Sequence, residues 1–294
     1  VNKTLTLMLG FWLCGCDEPL KTVELVAEPR VLGARVEVQG DPGRAAPAPG
    51  ESASVRLLVA APELEPALGF ALAACPAAPR NATRGACAGP VFARVLSARA
   101  AGATPELDFQ VPSELDPQGR ILVQGLVCPE ASPSSDGRSC EGGGGSIGLQ
   151  LELELERSDD VNSNPELEAD SITFDEQPWP ELPLVAGDCT GRGFPEVAPA
   201  STHRVGVALD QSDRDALPRP SDLDPAREDL QLSHFVSGGD ITRAFETIAW
   251  NSQDLQRQVE WQAPREPGLF RIWFVLRDFR GGGAFTARAM CVKP

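Results

Sequence analysis

Few residues of this chain stand in an arrangement that chemistry would need. The stretch GGSIG, Gly144 to Gly148, has the G-x-S-x-G spacing of a nucleophile elbow. That chemistry requires a strand before the serine and a helix after it, so that the hydroxyl sits on a strained turn beside a histidine. Here a glycine run precedes Ser146 and strand-like text follows it, which describes a hairpin loop instead. The only histidines, His203 and His234, stand alone in strand-like text and read as surface or packed residues. Carboxylates are plentiful, but no aromatic groove flanks a pair of them as a glycosidase would need, and tyrosine is absent. No catalytic residue and no cofactor motif emerges.

Acidic clusters favour cation binding over catalysis. The segment SDDVNSNP places Asp159, Asp160, Asn162 and Asn164 close together, and Asp213 and Asp215 lie further along. Hard oxygen donors of this kind suit calcium. The segment is similar to the acidic linker of cadherin-type repeats, which implies those four residues as ligands, although the cadherin spacing is not kept. The same residues also form ordinary Asx turns. A solvated linker is therefore the expectation and calcium the alternative.

Cysteine is the stronger signal. Cys75, Cys87, Cys128, Cys140, Cys189 and Cys291 are even in number, and none belongs to a C-x-x-C pair. That spacing removes the usual redox and zinc-knuckle readings. Local economy selects Cys75–Cys87 and Cys128–Cys140, each clamping a Pro/Gly/Ser-rich loop, and leaves Cys189 with Cys291. Disulfides of this kind imply an oxidising compartment.

The N-terminal text supplies the route there. Leu5 to Leu13 is apolar except for Thr6 and follows Lys3. It is too short to cross a bilayer, which takes about 20 apolar residues, but has the form of a secretory signal. Leu13-Cys14-Gly15-Cys16 resembles the bacterial lipobox. The resemblance implies cleavage before Cys16, a lipid on Cys16, and a membrane contact made through that anchor alone. Asp17 resembles an inner-membrane retention signal whose rule varies among bacteria, so the anchor is expected in the inner or outer membrane.

The formal charge of the chain is −16, and loss of Lys3 with the signal would make it −17. Such a balance excludes nucleic acid and anionic lipid surfaces, which select basic patches. Basic residues are almost all arginine, the only lysines being Lys3, Lys21 and Lys293, as a GC-rich bacterial genome would produce.

The elements that must carry these residues are β-strands. In LQLELELER the four leucines Leu149, Leu151, Leu153 and Leu155 alternate with polar residues, placing all four on one sheet face. Strand-like runs also include ARVEVQG, SASVRLLVAAP, RILVQGLVC, HRVGVALD and RQVEWQAP, broken by Gly/Pro turns, with no sustained helical period. TVELVAE reads as a first strand. In GLFRIWFVLRD, Phe270, Ile272, Phe274 and Leu276 fill one face. The C-terminal text WQAPREPGLFRIWFVLRDFRGGGAFTARAMCV resembles the last strands of bacterial immunoglobulin-like modules. The likeness covers roughly residues 200–294 and implies a fold, not an activity.

The expectation is an all-β protein with two tandem immunoglobulin-like β-sandwich domains behind a lipoprotein signal peptide. Its parts are a signal at 1–15, a lipidated tether at 16–22, a first sandwich at 23–158, a linker at 159–166 and a second sandwich at 167–294. It is expected in the Gram-negative cell envelope as a non-catalytic structural or binding module for an envelope protein or polysaccharide. An exported hydrolase, or an accessory domain of one, is the alternative.

Overall fold

A computed structural model describes residues 22–62, 66–79, 85–116, 118–143, 145–156, 161–182, 193–217 and 226–294. Its regular structure is almost entirely strand, relieved among the described residues by two short 3-10 turns. TVELVAE contributes an isolated bridge at Leu25 rather than a strand.

Among the described residues seven strands form the first half: β1 Arg30–Val38, β2 Ser52–Ala60, β3 Ala67–Pro76, β4 Ala93–Ala101, β5 Glu106–Gln110, β6 Arg120–Pro129 and β7 Ile147–Glu154. They make two sheets, ordered β1-β2-β5 and β4-β3-β6-β7, with every pairing antiparallel. Alternation accounts for the layering, because successive side chains point to opposite sheet faces. Leu68, Phe70, Leu72 and Ala74 of β3 turn inward to meet Val55, Leu57 and Leu107 from the opposing sheet. The β7 leucines behave as their period requires: Leu153, and Leu155 just beyond the strand, are buried in this core, and Leu149 and Leu151 pack against it.

Among the described residues twelve strands form the second half. They are β8 Ile172–Phe174, β9 Gln177–Pro178, β10 Glu196–Val197, β11 Thr202–Ala208, β12 Ala216–Leu217 and β13 Ala226–Arg227. Then come β14 Leu230–Val236, β15 Asp240–Ile241, β16 Phe245–Ile248, β17 Gln256–Gln262, β18 Gly268–Arg277 and β19 Gly283–Val292. One sheet runs β10-β19-β18-β14-β16 and another β15-β17-β11-β8-β9, while β12 and β13 pair by themselves. Between the two five-stranded sheets lie Trp179, Val205, Trp261, Ile272, Phe274, Leu276 and Met290, all nearly inaccessible to solvent.

The two sandwiches are packed against each other. The sequence assigns β18 one buried face, but both are covered. Ile272, Phe274 and Leu276 face their own core, whereas Trp273 and Val275 join Val26, Leu32 and Ala60 in a separate cluster. Close approach depends on two glycines. A Cβ on Gly33 would lie 3.1 Å from Val275 Cγ1, and one on Gly283 would lie 2.7 Å from the Ala34 carbonyl oxygen.

Charged side chains at this contact are spent on backbone. The Arg271 guanidinium donates to the carbonyls of Ala61 and Pro62, the latter at 3.1 Å, and lies 4.6 Å from the Trp273 ring. Arg277 donates to the Leu32 carbonyl, and Arg35 reaches back to the Gly283 carbonyl at 3.1 Å. The connecting segment is held too. Asn164 Nδ2 donates to the carbonyls of Val36 at 2.6 Å and Pro42 at 3.3 Å, and its Oδ1 accepts the Gly283 N–H at 3.1 Å.

Removing a buried tryptophan side chain typically costs about 3–5 kcal/mol. Trp273→Ala should approach that figure and should also separate the unfolding of the two halves, because the lost contact is shared between them. Urea unfolding followed by hydrogen exchange in each half checks this. A loss confined to the second sandwich would show that the contact carries no coupling.

Candidate functional site

The outer face of β4-β3-β6-β7 is built differently from the inner one. Strand alternation sends Ala71 and Ala73 of β3, Gln124 and Leu126 of β6, and Gly148 and Gln150 of β7 outward. The small residues leave a shallow floor. The Cys128–Cys140 loop rises beside it, and with the sheet and Val91 it borders a cleft of about 840 Å³.

Both loops are closed by the locally expected bonds, Cys75–Cys87 and Cys128–Cys140, each across 12 residues. The first loop is laid onto the sheet by Gln150 Nε2, which donates to the Gly85 carbonyl at 3.3 Å, and by Gln124 Nε2, which lies 3.3 Å from Cys87 Sγ. The second crosses above β3. Gly137 has φ of +69°, and a Cβ there would come within 3.1 Å of Ala71 Cβ, so a glycine allows the loop to lie close. Its tip is an Asx turn in which Asp136 Oδ1 accepts from Ser134 Oγ at 2.7 Å and from the Arg138 N–H at 3.1 Å. The Ser134 hydroxyl, followed by that N–H, holds the Asp136 carboxyl below its ordinary range.

The charged residues lining the cleft are Arg94, Asp136 and Arg138. Neither arginine was singled out by its sequence context. The signal that could have found Arg94 is its place in alternation with Val95, which turns inward and packs against the first core.

The remaining sequence candidates are dispersed. Ser146 is exposed just before β7, with no helix after it. Cys291 is buried and disulfide-bonded, while its expected partner Cys189 lies outside the described residues, as do Cys16 and the calcium candidates Asp159 and Asp160. Asn164 is committed to the backbone contacts above. Asn162 is buried beside the Asp278 carboxylate without aligning into a hydrogen bond. Among the described residues no group of three or more His, Cys, Asp or Glu side chains is arranged to hold a metal.

Carboxylates do gather at the junction. Burial, with Asp278 and Asp215 nearby, pushes Glu228 up to about 8, against the opposing pull of the Asp215 N–H and of Arg280, whose Nη1 is 3.5 Å away. Arg280 Nη1 also lies 3.7 Å from Asp215 Oδ2, so a cation already stands among these acids.

The expectation that both histidines stand alone is corrected at His203. Its Nδ1 lies 2.7 Å from Asp175 Oδ2 and its Nε2 lies 2.6 Å from Ser201 Oγ. Ser201 and His203 share a face because they are two apart in extended chain, a relation visible in the sequence; Asp175 arrives from the β8–β9 turn. These are the distances of a nucleophile, a base and its orienting acid. However, Ser201 Oγ also donates to the Ala198 carbonyl at 2.5 Å, and a hydroxyl has one proton to give. The neighbouring N–H groups that could stabilise an oxyanion are occupied: Ala200 donates to Pro264 O, Ala263 to Ser201 O, and Arg204 to Asp175 Oδ1. The arrangement ties the β8–β9 turn to β11. Burial acts upward on Asp175, but hydrogen bonds from His203 and the Arg204 N–H outweigh it and hold the carboxyl low.

No protein-family model matches the chain, and no curated protein matches it in sequence. Among solved structures it is similar to dimeric latent PorU from Porphyromonas gingivalis, at 12% identity and a TM-score of 0.25. That match covers 92% of this chain and 24% of the other, so this chain spans about a quarter of that protein. Likeness at that level carries no argument about fold or activity.

His234 gives a pH prediction with a definite sign. It is 1% exposed, its Nδ1 has no hydrogen-bond partner, and burial lowers it to about 4 despite a hydrogen bond to the Arg243 backbone. The unfolded chain takes a proton near pH 6.5 while the folded chain resists it. The stabilisation is therefore full above about pH 6.5 and lost as pH falls toward 4. His234→Leu should lose less stability than the parent between pH 7 and pH 4.5 in urea unfolding. Equal losses would remove His234 from the acid response.

The Cys128→Ala/Cys140→Ala variant bears on the cleft. Chain-entropy estimates give about 3 kcal/mol for a loop near 15 residues. Stability should fall by up to about that amount, and protection of the 131–140 amides should fall most. Unchanged hydrogen exchange in that loop would show that the bond does not shape the cleft wall.

Proposed function

We propose that this chain is an exported, lipid-anchored protein of the cell envelope that acts as a non-catalytic binding module through the disulfide-framed cleft of its first sandwich. The observation that carries the reading is the cleft itself: a covalently closed loop, Cys128–Cys140, laid across a floor of small side chains. Disulfides persist in oxidising compartments, which supports export. A concave site of small-molecule size, with apolar walls and a few polar groups, is the ordinary form of a ligand pocket. The lipobox-like Leu13-Cys14-Gly15-Cys16 supports anchorage at Cys16, and the C-terminal strand text supports an immunoglobulin-like type for the second sandwich.

An exported hydrolase is favoured by the Asp175–His203–Ser201 distances alone. The Ser201 proton directed at Ala198 and the occupied N–H groups weigh against it.

Anchorage has a direct test. Inhibition of lipoprotein signal peptidase should make the precursor accumulate, and Cys16→Ser should move the protein out of the membrane fraction. Unchanged fractionation of Cys16→Ser would end the lipid reading.

A further inference from the structure

Arginine usage in this protein is uneven in an informative way. Among the described residues, nearly every guanidinium is committed. Arg44 pairs with Glu51 and Glu156, Arg56 with Glu37, and Arg120 with Glu152. Arg214, Arg271 and Arg288 are buried donors to backbone carbonyls. Only Arg94, Arg138 and Arg265 have a guanidinium with no hydrogen-bond or salt-bridge partner among the described residues, and the first two line the cleft. Among the described residues Asp136 is the only acid in the lining, whose charges sum to +1 in a chain of charge −16.

Apolar surface adjoins these cations. Val91 and Leu96 are 41% and 48% exposed, against the fully buried valines and leucines of both cores. Both line the same cleft, on either side of Arg94, above the Ala71 and Ala73 floor. Exposed aliphatic side chains scattered singly need no explanation, but two beside guanidiniums that make no hydrogen bond, Arg138 with Asp136 within electrostatic reach, form a mixed surface. A guanidinium offers a planar fork that matches a carboxylate in a bidentate pair. The aliphatic rim offers nothing to a carboxylate and something to a hydrocarbon.

We propose that the cleft binds an amphiphilic organic anion of the single-chain fatty-acid type. Its carboxylate is set against Arg94 and Arg138, and its hydrocarbon body lies over Val91, Leu96 and the alanine floor. The proposal rests on the reading of this cleft as a binding site and specifies what enters it. A purely apolar ligand would leave both guanidiniums facing it unused. A cationic amphiphile would meet the +1 lining. A nucleic acid, which needs many phosphate contacts, would be repelled by the rest of the surface.

The probe is decanoate, held below its critical micelle concentration and titrated calorimetrically into the oxidised full-length protein. Decanol and decyltrimethylammonium serve as controls. One saturable site is expected for decanoate, at least about ten-fold weaker for decanol and absent for decyltrimethylammonium. Arg94→Gln/Arg138→Gln should weaken decanoate by about ten-fold or more, and Ala73→Trp, which fills the floor, should abolish it, with both disulfides and the β spectrum retained.

No saturable decanoate binding, equal binding by the double arginine variant, or equal binding of decanol would each overturn the proposal. A parallel ligand-observed NMR screen with neutral and cationic small molecules separates its failure from that of the binding-module reading. If some other compound binds and Ala73→Trp abolishes it, the cleft keeps its role and the anion falls. If nothing binds, both fall together.

Discussion

Strand β18 is covered on both sides, and that double burial organises the molecule. A strand at the surface of a sandwich needs only one apolar face. Here the other face meets β1, β2 and the segment around Val26, so the ten residues from Gly268 to Arg277 serve two cores at once. The arginines on that second face make the arrangement directional. Arg271 and Arg277 send guanidiniums into the neighbouring sandwich and satisfy carbonyls of Ala61, Pro62 and Leu32. A buried carbonyl without a partner is costly, so neither half can slide along the other without exposing such groups. Asn164 adds a third point, binding Val36, Pro42 and Gly283 together.

Strands were legible wherever the alternation was long. LQLELELER became β7 because period-two burial is written directly into side-chain order, while RILVQGLVC and GLFRIWFVLRD became β6 and β18 as longer apolar runs buried nearly throughout. The shortest strands were not legible. β8 holds three residues and β9 and β10 two each, too few to display a period, and they exist because longer neighbours offer them an edge. TVELVAE shows the opposite error. Its alternation is that of a strand, yet only Leu25 is bridged, and it is paired to Val236 of the other sandwich.

The cleft was half legible. Local cysteine spacing predicted both disulfides, since short closed loops are the economical choice when the chain must turn anyway. What the second loop borders was not visible. Arg94 and Arg138 lie 44 positions apart in sequence and line one cleft only because β4 pairs with β3 and the loop after β6 crosses back over β3. The Asp175–His203 contact was hidden for the same reason, whereas Ser201 and His203 could have been paired from their two-residue spacing. Chemistry assembled from several strands is a property of register, and register is not written in any one of them.

The bridge between Leu25 and Val236 is parallel, and the Val26 N–H donates to the Val236 carbonyl at 2.8 Å while the Val236 N–H donates to the Glu24 carbonyl at 2.9 Å. The first described residues are thus stitched to the far sandwich before the chain begins β1. A pull on the N-terminal end does not reach the first sandwich alone. It meets the two hydrogen bonds to Val236, at the end of β14, before it reaches β1. The body would therefore bear tension as one piece, with its grip placed where the two halves meet.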